Sequence, residues 1–141
     1  MRKGKPLRLV IDTNIWISLL ISKKLKTLDD LFFSNDVKIL FSEELIEELS
    51  ATIKKPKLEK YFSKKDALEE MMLVFEPFID LVEIKSQVNI CRDVKDNFLL
   101  ALAEDGKADY LITGDNDLLV LNRFKETRII TISDFINMFE T

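Results

Sequence analysis

The sequence predicts an α/β domain in three layers, α/β/α, built around a central, mostly parallel sheet of five strands. Three observations carry that reading. Short apolar runs rich in β-branched residues alternate along the chain with longer stretches of helical spacing. Such alternation implies parallel strands joined by right-handed crossovers, with helices on the sheet's faces. The first run, Leu9-Val10-Ile11, stops abruptly at Asp12-Thr13-Asn14 before apolar residues resume at helical spacing. Asp12 is therefore expected at the carboxyl end of a strand, the edge where open α/β sheets bind ligands.

The elements follow in order. Residues 7–12 are predicted as strand one, 13–22 as a helix, 25–33 as a second short helix and 37–41 as strand two. Ser42 is an N-cap for a helix that runs to about residue 54 and is ended by Pro56. A turn of helix at 58–61 follows, then a helix over 64–80 capped by Ser63 and kinked or stopped near Pro77. Residues 82–84 are expected to be a short third strand. A helix over 93–107 is closed by Gly106, strand four spans 110–113 and a short helix spans 115–122. Strand five at 128–131 and a helix at 133–139 complete a single domain over residues 1–141.

Composition excludes several chemistries. With 141 residues the chain can bury a real core, and no apolar run reaches the ~18 residues of a membrane span. The basic start, MRKGKPLR, is not followed by a signal-peptide apolar region, and the protein is expected to be cytoplasmic. Cys91 is the single cysteine, so no disulfide can form within the chain. Histidine is absent, which removes Ser-His-Asp and Cys-His catalysis and most zinc sites. Catalysis would have to run on carboxylates, lysines or hydroxyls. A net charge of −4 means that a nucleic-acid substrate would need local basic patches.

The expected topology brings acids together. Strand ends and the helix starts that follow them share one edge, so Asp12, Asp93, Asp96, Asp115 and Asp117 should meet acids from the helix after strand two. Clustered carboxylates repel one another unless a cation neutralises them, and all-oxygen ligands favour Mg²⁺ or Mn²⁺. Simpler roles compete. Asp93 suits an N-cap and Asp96 a first-turn acid, and Asp115 or Asp117 could cap the next helix. At 100° per residue, Glu43 and Glu48 flank the apolar stripe of Leu45, Ile46, Leu49 and Ile53, and periodicity leaves the choice between them open. Asp12 has no plain structural explanation.

These segments resemble the PIN-domain family, and within it the toxin-like ribonuclease subgroup of toxin–antitoxin systems. The resemblance rests on Val10-Ile11-Asp12-Thr13-Asn14, on Ser42 to Leu49 leading to Lys55-Pro56-Lys57-Leu58, and on Arg92-Asp93-Val94-Lys95-Asp96-Asn97. Ala108 to Leu119 and Ile130 to Ile136 continue it in the family's order. It implies a catalytic and metal-binding set of Asp12, Glu48, Asp96 and Asp115, supported by Asn14, Asp93, Thr113 and Asp117. It also implies Mg²⁺ or Mn²⁺ as cofactor, RNA as substrate, a cognate antitoxin and a homodimer. The subgroup often has proline where Val94 and Ser133 stand here, and neither touches the acids.

Lys54, Lys55, Lys57, Lys60, Lys64 and Lys65 form a basic run with Tyr61 and Phe62 among them. It suits either a phosphate-contacting rim or a solvated hairpin with its aromatics in the core. Trp16, Phe32, Phe33, Phe75 and Phe78 are expected in the core or a partner interface. The chain thus reads as a metal-dependent ribonuclease. An aspartate-nucleophile phosphatase is the first rival, weakened because Asn14 stands where a second acid is usual. A non-catalytic nucleic-acid or protein binding module of the same fold is the second.

Overall fold

The computed structural model describes residues 5–22, 24–62 and 67–139. Strand β1 (Leu7–Ile11) is central, and Leu9, Val10 and Ile11 are wholly buried, as a parallel strand covered on both faces requires. It pairs in parallel with β2 (Val37–Phe41) on one side and β4 (Tyr110–Ile112) on the other. β3 (Ile79–Leu81) continues the sheet beyond β2, and β6 (Thr127–Ile130) continues it beyond β4, both in parallel. β5 (Arg123–Phe124) pairs antiparallel with β6 and gives the order β3-β2-β1-β4-β6-β5.

Among the described residues the sheet therefore has six strands where five were expected. The added strand is two residues long, too short to show any alternation. Its hairpin turns through Lys125 at φ 53° with none of the Asn-Gly signals that mark such turns. The third strand also lies elsewhere than expected. Residues 82–84 are not a strand; Pro77 sits in a 3₁₀ turn, and the chain enters β3 directly afterwards. The expected helix over 64–80 is correspondingly short, α4 (Ala67–Phe75). Asp80 lies in β3, where it accepts from Arg8 Nη2 at 2.7 Å, and that ion pair anchors the strand. The proposed cap Ser63, with Lys64 and Lys65, lies outside the described residues.

The other helices are α1 (Thr13–Ser22), α2 (Leu25–Asn35), α3 (Glu43–Ile53), α5 (Val94–Asp105), α6 (Asn116–Leu119) and α7 (Ile132–Asn137). Side chains alternate across the sheet and create the layers. Phe41 stacks on Trp16 of α1 at 5.6 Å, and Tyr110, in register on the same face, meets Phe135 of α7 at 6.4 Å. Trp16 and Phe32 both pack edge-on against Phe75, which knits α1, α2 and α4 into one aromatic core. The opposite face carries Val10, Leu40 and Leu111 and is covered by α5. There Gly106 lies so close to Leu40 that a Cβ would sit 2.5 Å from its Cδ1. Phe33, expected in the core or a partner interface, is 83% exposed and so lies outside the core. Among the described residues no helix is long and apolar enough to cross a membrane.

Candidate active site

One local rule builds the site. β1, β2 and β4 each lead into a helix, α5 starts at the same edge after the loop that follows β3, and the residue at each helix start turns a side-chain oxygen onto the helix's first amides. Asp12 Oδ1 accepts from Ile15 N at 2.9 Å, Ser42 Oγ from Leu45 N at 3.1 Å and Asp115 Oδ1 from Asp117 N at 2.9 Å. Asp93 Oδ1 does the same for Lys95 N at 3.0 Å at the start of α5. Asp12 thus has the structural role that the sequence did not suggest, as the cap of α1. Capping engages one oxygen of each carboxylate and leaves the other available.

The acids gather at this edge. Asp12 is 5% exposed, and its Oδ2 accepts from the hydroxyl of Thr113, which is itself wholly buried. The same hydroxyl accepts from Asp115 N at 3.0 Å, so Thr113 fixes Asp12 and Asp115 relative to one another. Asp96, on the first turn of α5, is 6% exposed, and its Oδ2 has no hydrogen-bond partner. Asp96, Asp115 and Asp117 each bring a carboxylate oxygen within 4.8 Å of the others. A cleft of about 280 Å³ opens over the group, lined by Asp12, Asn14, Glu48, Asp93, Asp96 and Asp115.

Burial and mutual repulsion set the electrostatics. Burial raises the Asp12 carboxyl above its usual range; hydrogen bonds from Thr113 and the Ile15 amide oppose this, and the charges of Asp115 and Glu48 add to it. Burial also raises Asp96, reinforced by a hydrogen bond shared with Asp115 and by that group's charge, and its pKa is pushed up to about 7. The outer acids are treated differently. Arg92 Nη2 bonds both oxygens of Asp117, at 2.9 and 2.8 Å, and Lys95 Nζ lies 3.7 Å from Glu48 Oε1. Among the described residues no lysine or arginine makes a salt bridge to Asp12, Asp96 or Asp115. The inner acids suit a hard divalent cation: all-oxygen donors, one buried oxygen without a partner, and a carboxyl whose pKa is pushed up to about 7 by burial and by the acids around it.

The structure places the expected residues as follows. Glu48 is half-buried and lines the cleft, whereas Glu43 is exposed and does not. Asn14 lines it from α1, and Thr113 lies beneath it. Asp93 caps α5, and Asp117 is held by Arg92. Lys55 and Lys57 line the cleft, while Lys54 is exposed and outside it. Tyr61 is 49% exposed beneath the Lys60 ammonium and does not enter the core.

Two contributors lie outside the expected set of site residues. Lys95 lines the cleft and reaches an acid on another helix, a pairing that no spacing within one segment reveals. Asn97 accepts from Cys91 N at 2.9 Å and donates to Cys91 O at 3.1 Å, which pins the loop carrying Arg92 and Asp93. Its burial, at 8% exposure, shows only in the fold, and no spacing in the sequence marks it.

Fold and cleft together define an α/β protein whose acids gather at the carboxyl edge of a parallel sheet in an arrangement suited to a cation. The chain belongs to the PIN-domain family, whose model, described as PIN domain, matches residues 8–117. It is similar to Uncharacterized protein MJ1680 of Methanocaldococcus jannaschii, with 29% identity over 144 residues that cover 95% of this chain and 92% of that one. Among solved structures it resembles a chain of VapBC2 from Rickettsia felis, crystallised bound to a DNA fragment from their promoter. That match has a TM-score of 0.54 at 14% identity over 87% of this chain and 97% of the other, a likeness of fold.

Proposed function

We propose that this protein is a Mg²⁺- or Mn²⁺-dependent endoribonuclease and the toxin component of a toxin–antitoxin pair. The observation that carries the reading is the Asp96 carboxylate, buried with an unpartnered oxygen beside Asp115 and Asp117. Asp12, Asp96 and Asp115 would hold the ion, with Glu48 completing the set. A divalent ion supplies Lewis acidity and charge neutralisation for phosphodiester hydrolysis.

The chain's own residues supply position. Thr113 and the Ile15 amide fix both oxygens of Asp12, so that carboxylate is preorganised. Lys55, Lys57 and Lys95 give the cleft a cationic rim that suits a phosphate backbone in a protein of net charge −4. Glu48, released from the weak pairing with Lys95, would orient water toward the scissile phosphate.

The cognate antitoxin and the homodimer belong to the same reading. Leu73 and Val74, 69% and 48% exposed on α4, offer apolar surface for association. Family membership and the VapBC2-like fold support it. The test is cleavage of a structured RNA by the purified protein. Loss of cleavage in EDTA, recovery with Mn²⁺ and no cleavage by Asp96→Asn are expected. Cleavage that persists in EDTA, or in that variant, would overturn the proposal.

A further inference from the structure

A second cavity, of about 480 Å³, opens between α3 and α5 beside the acidic cleft. The two share Glu48, Thr52, Lys55, Lys95 and Leu99 as a common wall, so a chain lying in one passes directly into the other. The cleft is lined mainly by aspartates, whereas the second cavity has an apolar wall of Leu45, Ala51, Leu99, Leu102 and the ring of Phe98, with Glu44, Glu47 and Glu48 on its α3 side. Phe98 is 45% exposed, an aromatic face turned to solvent at the cavity.

We propose that this cavity is a nucleobase subsite for single-stranded RNA, taking the unpaired base next to the phosphodiester held in the cleft; this rests on the ribonuclease reading above. Three features of the cavity support that occupant. Its volume lies in the range of small-molecule sites, ample for one base. The wall shared with the cleft carries Lys55 and Lys95, charges that suit the phosphate linking a base in the cavity to the reacting group. An exposed aromatic against aliphatic walls is how proteins stack single-stranded bases, with little dependence on sequence. Lys95 has a weak partner in Glu48 at 3.7 Å, with 57% of its side chain exposed, and can turn to a phosphate at small cost.

The experiment is an abasic scan. A short single-stranded RNA with one cleavage site is made in a series, each member lacking the base at one position. KM and kcat are measured for wild type, Phe98→Ala and Phe98→Leu, with binding followed in parallel by fluorescence anisotropy. In wild type, one position adjacent to the cleaved bond should raise KM about tenfold when its base is removed, with kcat changed little. Phe98→Ala should show the same loss with the intact RNA and no further loss with the abasic one. Phe98→Leu keeps the apolar packing and should behave like Phe98→Ala if stacking is what matters. Equal responses of wild type and both variants to every abasic position would overturn the subsite while leaving the nuclease intact, and would free the cavity for a protein partner. Coupling between Phe98 and one base in the anisotropy data, without cleavage, would uphold the subsite and refute the nuclease.

Discussion

The Thr113 hydroxyl donates to Asp12 and lies wholly buried beneath the acidic cleft. The same oxygen accepts from Asp115 N at 3.0 Å, so one small side chain fixes two carboxylates that come from different parts of the chain. Thr113→Val keeps the shape and removes both bonds. Metal affinity should fall about 10- to 100-fold, the usual cost of losing a partner of a ligand. Calorimetric titration with Mn²⁺ measures it, and a thermal melt should show a loss of about 1–3 kcal/mol from the unsatisfied Asp12 oxygen.

The Asp96 carboxyl is raised from 3.8 to about 7 in the folded protein. Its contribution to stability is therefore fully present below about pH 4 and is lost as pH climbs to about 7. The melting temperature in EDTA should decline across that window more steeply for wild type than for Asp96→Asn. That variant should melt higher than wild type at pH 8 in EDTA and gain less from Mg²⁺. Mg²⁺ at a hundredfold excess over Kd should stabilise wild type by ~2.7 kcal/mol at pH 8, and by less at pH 5.5, where protons compete for the ligands. Parallel pH profiles for the two proteins would reduce Asp96 to a helix-start residue.

Glu48 lines the cleft, and Glu43 is exposed away from it. Glu48→Gln should lower RNA cleavage about 100-fold or more, whereas Glu43→Gln and Glu44→Gln should retain most of it. Single-turnover rates on one RNA separate the three. An essential Glu43 beside a dispensable Glu48 would mean that the wrong face of α3 had been assigned to the site.

Lys54, Lys55 and Lys57, which follow α3, differ in placement. Lys55→Ala and Lys57→Ala should each weaken RNA binding and lower the slope of log K against log salt by about 0.7, the single-strand value per phosphate contact. Lys54→Ala should change neither, since Lys54 does not line the cleft. Anisotropy titrations over a range of salt concentrations measure the slopes.

Much of this was legible in the sequence because the main signals are local. The run Leu9-Val10-Ile11 could only be a strand buried on both faces, and Asp12 ends it whatever lies around it. Ser42 and Asp93 announced helix starts by their type alone. What was missed depends on partners distant in sequence. β3 sits where it does because it pairs with β2 and because Arg8 reaches Asp80 from the central strand. β5 exists only as the returning arm of a tight hairpin against β6. Which acid Lys95 meets could not be read from the sequence, because its partner Glu48 is on α3. Asp12 looked unexplained because its cap onto the Ile15 amide needs the turn into α1 to be seen.

The central claim is that the inner carboxylates hold a divalent cation, and direct Mn²⁺ binding tests it without any assumption about substrate. Calorimetric titrations of wild type, Asp12→Asn and Asp93→Asn are compared at pH 7.5. Asp93→Asn keeps a good cap on α5 and should bind Mn²⁺ within a few-fold of wild type. Asp12→Asn keeps the fold and should bind at least about tenfold more weakly. Equal Mn²⁺ affinity in all three proteins would contradict the account.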